Sequence, residues 1–260
     1  MPHSEASTPI KISIVTAVYN RAGSVGDAIR SVFEQDHPHI EHVLVDGASS
    51  DATMEVVRRS QMRAPSVVSE PDSGIYDALN KGLQRATGDV IGLLHSDDTF
   101  ADDKVVSDVA ACFADPVVNL VYGDLDYVGG RDGRRVVRHW QAGLPSASNL
   151  RAGWMPPHPT VFIRAELYRS VGGFRTDLAI AADYELMLRM FLCDQIHHSY
   201  LPRVLVKMRT GGESNRSLER VLTKSREDYL ALRWNGFSRT GAARTLLLKN
   251  LRKVRQLFRR

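Results

Sequence analysis

The 260-residue chain contains only two cysteines, Cys112 and Cys193, both in apolar surroundings and with no metal-ligand spacing. A disulfide framework and a cysteine-based zinc site are therefore excluded, and both thiols read as small buried hydrophobes of a reducing compartment. No run of about 18 apolar residues occurs, which excludes a transmembrane helix. Met1 to Pro9 is polar, without the apolar stretch of a signal peptide before Ile10, so residence in the cytosol is expected. There is no internal repeat and no low-complexity segment. Acidic residues are missing from one region in particular. Arg239 to Arg260 holds eight basic side chains and no carboxylate, so a formal net charge of +4 conceals a mildly acidic body with a strongly basic tail.

What is present is an alternation of apolar runs and amphipathic stretches. Ile10 to Val18, His42 to Val45, Val67 with Val68, and Val90 to Leu94 read as short strands. Between them lie helical patterns. One has Val25, Ala28, Ile29, Val32 and Phe33 on one face, with Ser24 and Asp27 in the form of an N-terminal cap; another follows Asp51; a third runs from Gly74 to Thr87. Strand-helix alternation over the first 115 or so residues predicts a parallel sheet covered by helices. Ligands of such sheets bind beyond the carboxyl ends of the strands. Asp46 and the pair Asp97-Asp98 each follow directly after a strand, so they are expected to meet in one cleft. The second half is less regular: strands at Leu120 to Tyr127 and Arg134 to Trp140 around a Gly129-Gly130 turn, a Pro-, Gly- and Ser-rich loop from Gly143 to Pro159, a strand near Thr160 to Ile163, a helix at Tyr184 to Phe191, and a strand at Leu201 to Met208.

Several residues could carry chemistry, each with a plainer alternative. Asp97 and Asp98 suit a hard cation such as Mg²⁺ or Mn²⁺, or else cap the turn after the strand. Asp46 can accept hydrogen bonds from a nucleobase or ribose, whereas Asp51 is assigned to capping the helix after it. Asp183 is either a general base or an N-cap, and its local setting favours the cap. His158, in Pro156-Pro157-His158-Pro159, is a candidate substrate contact. His37, His39 and His42 read as a solvated loop rather than a zinc site, and His197-His198 as surface.

Taken together and in order, the segments resemble family-2 glycosyltransferases of the GT-A fold. The matching stretches are Ile14 to Asn20, Val45 to Thr53, Asp72 to Gly82, Ala86 to Asp89, Leu94 to Asp98, and Ala182 to Leu186 with Arg189 beyond. The nearest likeness is to bacterial enzymes building cell-surface polysaccharides or glycolipids, of colanic-acid or mycobacterial glycolipid type. The resemblance implies a GT-A α/β fold over residues 10–215, with a mostly parallel central sheet flanked by helices. Residues 10–115 would form the nucleotide-sugar half, 116–215 the acceptor half, and 216–260 a helical basic extension.

The resemblance further implies that Thr16, Val18, Asn20, Asp46, Asp77, Asn80, Lys81, Ser96 and Asp97 contact the nucleotide sugar. Asp97 with Asp98 would bind a divalent metal, Mn²⁺ or Mg²⁺. Asp183 would be the base of an inverting single displacement, and His158 and Tyr184 would meet the acceptor, a glycan or a lipid-linked hydroxyl. Gly211-Gly212-Glu213-Ser214 resembles a loop that folds over the nucleotide in some relatives. His95 stands where the first aspartate of a DxD motif is usual, and Ala182 where an acidic residue often precedes the base. The QxxRW motif of processive synthases is absent after Asp183, which points to transfer of a single sugar.

Two other functions share some of these features. A sugar-1-phosphate nucleotidyltransferase would have the same sheet and a metal, but its glycine-rich phosphate loop is missing after Ile12 to Val18. A catalytically inactive nucleotide- or glycan-binding protein is compatible with His95 and Ala182. The tail adds a location. Leu247, Leu251, Val254 and Phe258 fall at helical spacing, with Lys249, Lys253 and Arg260 opposite and Arg252, Arg255 and Arg259 between. This pattern predicts peripheral contact of residues 239–260 with an anionic membrane on its cytoplasmic face, the alternative being docking on the body. No nucleic-acid-binding module accompanies the charge.

Overall fold

The computed structural model describes residues 9–60, 65–130, 133, 135–210 and 218–258. Strand β1 (Ile12–Val18) is buried at all seven positions, as an apolar, β-branched run must be when it lies at the centre of a sheet. It pairs in parallel with β2 (Ile40–Asp46) on one side and β4 (Val90–Leu93) on the other, and β2 pairs in parallel with β3 (Ser66–Ser69). The connecting helices are α1 (Val25–Phe33), α2 (Thr53–Arg59) and α3 (Ile75–Arg85). In this half the expected parallel sheet is present, and its four strands all end on the same edge.

The sheet then changes character. β5 (Thr99–Phe100), α4 (Val105–Cys112), β6 (Leu120–Gly129), β7 (Arg135–Trp140), α5 (Ala147–Arg151), a 3-10 turn (His158–Thr160), β8 (Phe162–Arg164), α6 (Ala165–Val171), α7 (Ala182–Phe191) and β9 (His198–Arg209) follow. The full order is β3-β2-β1-β4-β8-β6-β9-β5, with β7 paired to β6. β8 is antiparallel to both β4 and β6, β5 to β9 and β7 to β6, so the second half is a mixed sheet; β6 and β9 are parallel. The Gly143 to Pro159 stretch, expected to be irregular throughout, contains α5, whose first turn is capped by the Ser146 hydroxyl accepting from Asn149 N.

Two hydrophobic layers sandwich the sheet. Val15, Val45, Leu79, Ile163, Leu186 and Met190 pack on the side covered by α3 and α7, while Ile14, Leu94, Val106, Leu125 and Val206 pack on the side covered by α1 and α4. Gly82 of α3 shows how closely helix and sheet approach, since a Cβ there would lie 2.2 Å from Val15 Cγ1. The two cysteines are free and half-buried, each packed against a different layer.

The C-terminal segment forms α8 (Leu218–Trp234) and α9 (Arg239–Phe258), and it is not an appendage. Ala231, Leu232 and Ala242 share a buried cluster with Ala181, Tyr184 and Leu188 of the α7 region. Thr245 donates to Arg151 O at 2.6 Å, and Lys249 is buried, its ammonium 2.9 Å from Asp228 and 3.2 Å from the centre of the Tyr184 ring. The first half of α9 thus docks through Ala242, Thr245 and Lys249. Leu247, placed by its spacing on the helix's apolar face, is 61% exposed, and Lys249, placed on the opposite face, is inside. The reason is that a lysine stem is apolar, and its charge finds both a carboxylate and an aromatic face. No described helix is long and apolar enough to cross a membrane.

Candidate active site

At the carboxyl end of β1 and β2 the chain makes two tight loops that interlock. Asn20 and Ala48 both adopt left-handed backbone conformations, with φ of 52° and 60°. Asn20 Oδ1 accepts from Ser50 N at 2.9 Å, and Ser49 Oγ accepts from Asn20 N at 2.8 Å. Asp46 stands where the sequence places it, at the strand end, but it is fully buried. Its carboxylate accepts from Ser49 N, the Ser49 hydroxyl and, at 2.6 Å, the Ser69 hydroxyl. Asp46 and Asn20 therefore shape this rim from within and do not present free groups to a ligand. Asp51 accepts from Thr53 N and Ala22 N, joining the start of α2 to the loop after β1.

Thr16 and Val18 lie on the strand face that packs toward α1 and α2, away from the rim. The Thr16 hydroxyl is 3.0 Å from His42 Nε2, and Val18 packs with Val25, Ile29, Leu44 and Val57. His42 is pushed down to about 4 by burial, and His37 is also buried, bonded to Ile10 O, so neither belongs to a solvated loop. The side chain that does reach the rim is Tyr19, 58% exposed, which pattern reading passed over although it is the first residue beyond the strand. Tyr19 and Asp72 flank Gly47 so closely that a Cβ on Gly47 would lie 2.4 Å from Asp72 Oδ2.

The α3 residues expected at the donor instead build the frame. Asn80 both accepts from Phe174 N and donates to Phe174 O at 2.8 Å, binding α3 to the segment before α7. Lys81 donates to Pro71 O at 2.9 Å and pairs with Glu70 at 3.1 Å, and Asp77 accepts from Ser73 N at 3.0 Å. The Pro71-to-Gly74 loop is thereby held against the helix. These residues lie on α3 because its first turn must satisfy the loop that feeds it.

The second group gathers beyond β4. Asp97 is partly exposed and makes no hydrogen bond or ion pair among the described residues. Asp98 is 1% exposed: it accepts from Arg209 N at 3.2 Å through one oxygen, and its other oxygen has no partner. Antiparallel pairing of Thr99 and Phe100 with Lys207 and Val206 draws Asp98 under β9, so it is no open metal ligand beside Asp97. Burial and the Asp97 charge push its carboxyl well above the usual carboxylate range. Ser96 is buried next to them.

Facing them from the opposite wall is Asp183. It lies within the first turn of α7, after Ala181 at the N-cap and Ala182, so its side chain is not the cap. One oxygen accepts from Tyr184 N at 2.7 Å and lies 3.4 Å from the Tyr76 hydroxyl. His95 and His158 sit between the walls, rings 5.3 Å apart, and both feel the Asp183 charge. Residues 13–174 match the model of glycosyl transferase family 2. The chain belongs to this family.

Relatives and solved structures agree with that membership. This glycosyltransferase is 31% identical over 191 residues to an uncharacterized glycosyltransferase of Mycobacterium tuberculosis, covering 71% of each chain. It is 26% identical over 220 residues, 82% of each chain, to a PGL/p-HBAD biosynthesis glycosyltransferase of Mycobacterium bovis. A mannosyltransferase from Pyrobaculum calidifontis, solved with GDP-Man and Mn²⁺, superposes with a TM-score of 0.64 at 19% identity, over 94% of this chain and 70% of that one. The fold is thus GT-A-like.

In the transferase's cleft the charges are ordered by their surroundings. Burial pushes the Asp183 carboxyl up, but the charges of His158, Lys224 and Lys249 and the Tyr184 amide outweigh it and hold it below the ordinary carboxylate value. His158 is itself pushed down to about 4 by burial, so its charge acts on Asp183 only in acid. His158 is 8% exposed and its Nε2 has no hydrogen-bond partner.

Tyr184, expected at the acceptor, is turned away from the cleft and buried beneath α8 and α9, because successive helix residues point about 100° apart. Glu185 is likewise internal: it holds Arg189, which donates to Val171 O, Gly172 O and Gly173 O. His197 is exposed as expected, while His198 is half-buried and stacks on Phe191 at 4.9 Å. Gly211 to Ser214 lie outside the described residues.

Proposed function

We propose that this glycosyltransferase moves one sugar from a nucleoside-diphosphate sugar to an acceptor hydroxyl with inversion, in the synthesis of a cell-surface polysaccharide or glycolipid. The observation that carries the reading is Asp183: an ionised, partly exposed carboxylate on one wall of a cleft whose other wall holds the free carboxylate Asp97. In the step, Asp183 takes the proton of the acceptor hydroxyl while that oxygen bonds to the anomeric carbon. The bond from that carbon to the diphosphate breaks, and the nucleoside diphosphate leaves with the electron pair. His158 Nε2 is available to hold a hydroxyl of acceptor or donor, and Tyr19 to stack against the nucleoside.

No group of three or more metal-ligating side chains occurs among the described residues. One open carboxylate nevertheless fits a hard divalent cation, since Mg²⁺ and Mn²⁺ in such sites keep water and substrate phosphates as most of their ligands. Asp97 is the residue that would hold Mn²⁺ or Mg²⁺, which supplies neutralising charge for the diphosphate when bound. The Pyrobaculum enzyme's GDP-Man and Mn²⁺ and the PGL/p-HBAD biosynthesis named for the Mycobacterium bovis relative support this reading. The test is a panel of UDP-, GDP- and dTDP-sugars incubated with a lipid-linked acceptor fraction. Release of nucleoside diphosphate from one donor, accelerated at least tenfold by acceptor and giving an inverted linkage, is expected. Acceptor-independent release from every donor, or a retained linkage, overturns it.

Peripheral membrane contact belongs to the same proposal. The docked half of α9 ends near Lys249, and exposed Leu247 begins the apolar spacing continued by Leu251, Val254 and Phe258. Five basic residues and no acidic one follow Asn250, and each is worth about 1 kcal/mol at an anionic surface. A chain ending at Asn250 keeps the docked contacts. It is expected to lose sedimentation with phosphatidylserine vesicles at low salt, while the full chain binds and is released by 0.5 M salt. Equal binding of both chains removes this part of the proposal.

A further inference from the structure

The loop that delivers Asp183 is gripped by a carboxylate from the C-terminal helix pair. Glu227 of α8 is 8% exposed, and it accepts from three consecutive amides: Ala179 N at 2.9 Å on one oxygen, and Ile180 N at 2.8 Å and Ala181 N at 2.9 Å on the other. Ala181 is the N-cap position of α7 and has no capping side chain of its own. Glu227 thus satisfies, from another helix, the N-cap amide of α7 and the two amides that lead into it. Its negative charge also lies at the positive end of the α7 dipole.

The same short segment is held on its carbonyl side. Tyr76 of α3 donates to Ile180 O at 2.7 Å. The peptide between Ala179 and Ala181 is therefore fixed from both edges, two residues before Asp183. On the next residue the grip continues, with Lys249 of α9 over the Tyr184 ring and paired to Asp228, which also pairs with Lys224 at 3.3 Å. Neither Asp183 nor Glu227 lies in the stretch matched by the family model, which ends at residue 174.

We infer that Glu227 is a positioning residue for the transfer reaction, holding the Ala179–Ala181 amides so that Asp183 meets the acceptor hydroxyl. The inference rests on Asp183 being the base. Displacing a catalytic group by about 1 Å costs on the order of 10²-fold in rate without removing the group. A glutamine at 227 can offer one oxygen to Ile180 N and Ala181 N, but it turns an NH₂ toward Ala179 N–H. Glu227→Gln therefore loosens the segment without emptying the space, whereas Glu227→Asp keeps the charge and shortens the reach.

The experiment compares full-length wild type, Glu227→Gln, Glu227→Asp and Asp183→Asn, with Tyr76→Phe as an approach to the same segment from its other side. Steady-state transfer is read as kcat and donor KM separately, on protein with folded fraction checked by circular dichroism. Expected are a fall in kcat of about 10- to 100-fold for Glu227→Gln, partial recovery in Glu227→Asp, a smaller fall for Tyr76→Phe, and donor KM within about threefold throughout. A purely structural role would lower the melting temperature and leave kcat per folded molecule unchanged. If Asp183→Asn is inert while Glu227→Gln, or Tyr76→Phe should the Glu227 variants fail to fold, runs within twofold of wild type, the inference is wrong and the base assignment stands. If Asp183→Asn keeps the wild-type rate, the base assignment fails and takes this inference with it.

Discussion

Asp183→Asn is expected to lower kcat for sugar transfer by about 10³-fold, roughly 4 kcal/mol of barrier, with donor affinity unchanged. Asparagine keeps the size of the side chain and the oxygen that accepts from Tyr184 N, so the α7 terminus and its packing should persist. What is lost is the lone pair basic enough to take a proton. The pH dependence follows from the surroundings. The Asp183 carboxyl lies below the usual carboxylate range in the folded enzyme, so the base is ionised at every pH above that range. The rate should therefore be flat on the acid side from pH 7 to about pH 5 and fall only below it. As pH drops through about 4, His158 gains the charge that is the leading influence holding Asp183 low, so the two groups titrate together. An acid limb near pH 6 would assign the base to another group, His95 above all. Measuring kcat/KM from pH 4.5 to 8.5 on wild type, together with the residual rate of Asp183→Asn, separates the two.

The positions of these groups along the chain were legible for a simple reason. Buried parallel strands are short apolar runs, and an aspartate directly after one, such as Asp46 or Asp97, must lie on the ligand-binding edge. Which way each side chain faces was not legible. Thr16 and Tyr19 differ by three positions around the end of one strand; the first faces α1 and the second the rim, and only the register of β1 with β2 decides it. Asp97 and Asp98 look interchangeable in sequence, yet the β5–β9 pairing, joining residues more than 100 positions apart, buries one and leaves the other open. Tyr184, adjacent to the base, went inside because α8 and α9 return to cover it. Asn80, Asp77 and Lys81 carry polar groups that a motif reading assigns to ligand, but each is satisfied by nearby backbone or a neighbouring charge. Local pattern carries the fold's first half well because its contacts alternate regularly. The site's second wall depends on long-range closure that has no local signal.

That closure sets apart the two adjacent aspartates, and their substitutions should differ sharply. Asp97→Ala is expected to weaken Mn²⁺-dependent binding of the donor's nucleoside diphosphate at least 10-fold and to lower transfer by about 10²- to 10³-fold, since it removes the open carboxylate on that wall. Calorimetric titration with nucleoside diphosphate, with Mn²⁺ and with EDTA, reads the binding term independently of turnover. In EDTA wild type and variant should bind alike. Asp98→Asn should do almost nothing to either measurement. Burial and Asp97 beside it raise the Asp98 carboxyl and disfavour its charge, and asparagine retains an oxygen for Arg209 N in the same volume. Replacing a buried carboxyl whose charge is disfavoured by a neutral amide of the same size relieves that conflict, so the melting temperature of Asp98→Asn should be unchanged or slightly raised near neutral pH. The sign follows from linkage: a carboxyl whose folded pKa is raised costs stability as pH rises above its unfolded value of about 3.9, and the cost saturates above the folded one. Equal losses of Mn²⁺-dependent binding in Asp97→Ala and Asp98→Asn would mean that both carboxylates reach the cation and that β9 shifts to release Asp98. Loss confined to Asp97→Ala would leave the cation held by one protein carboxylate, the donor diphosphate and water.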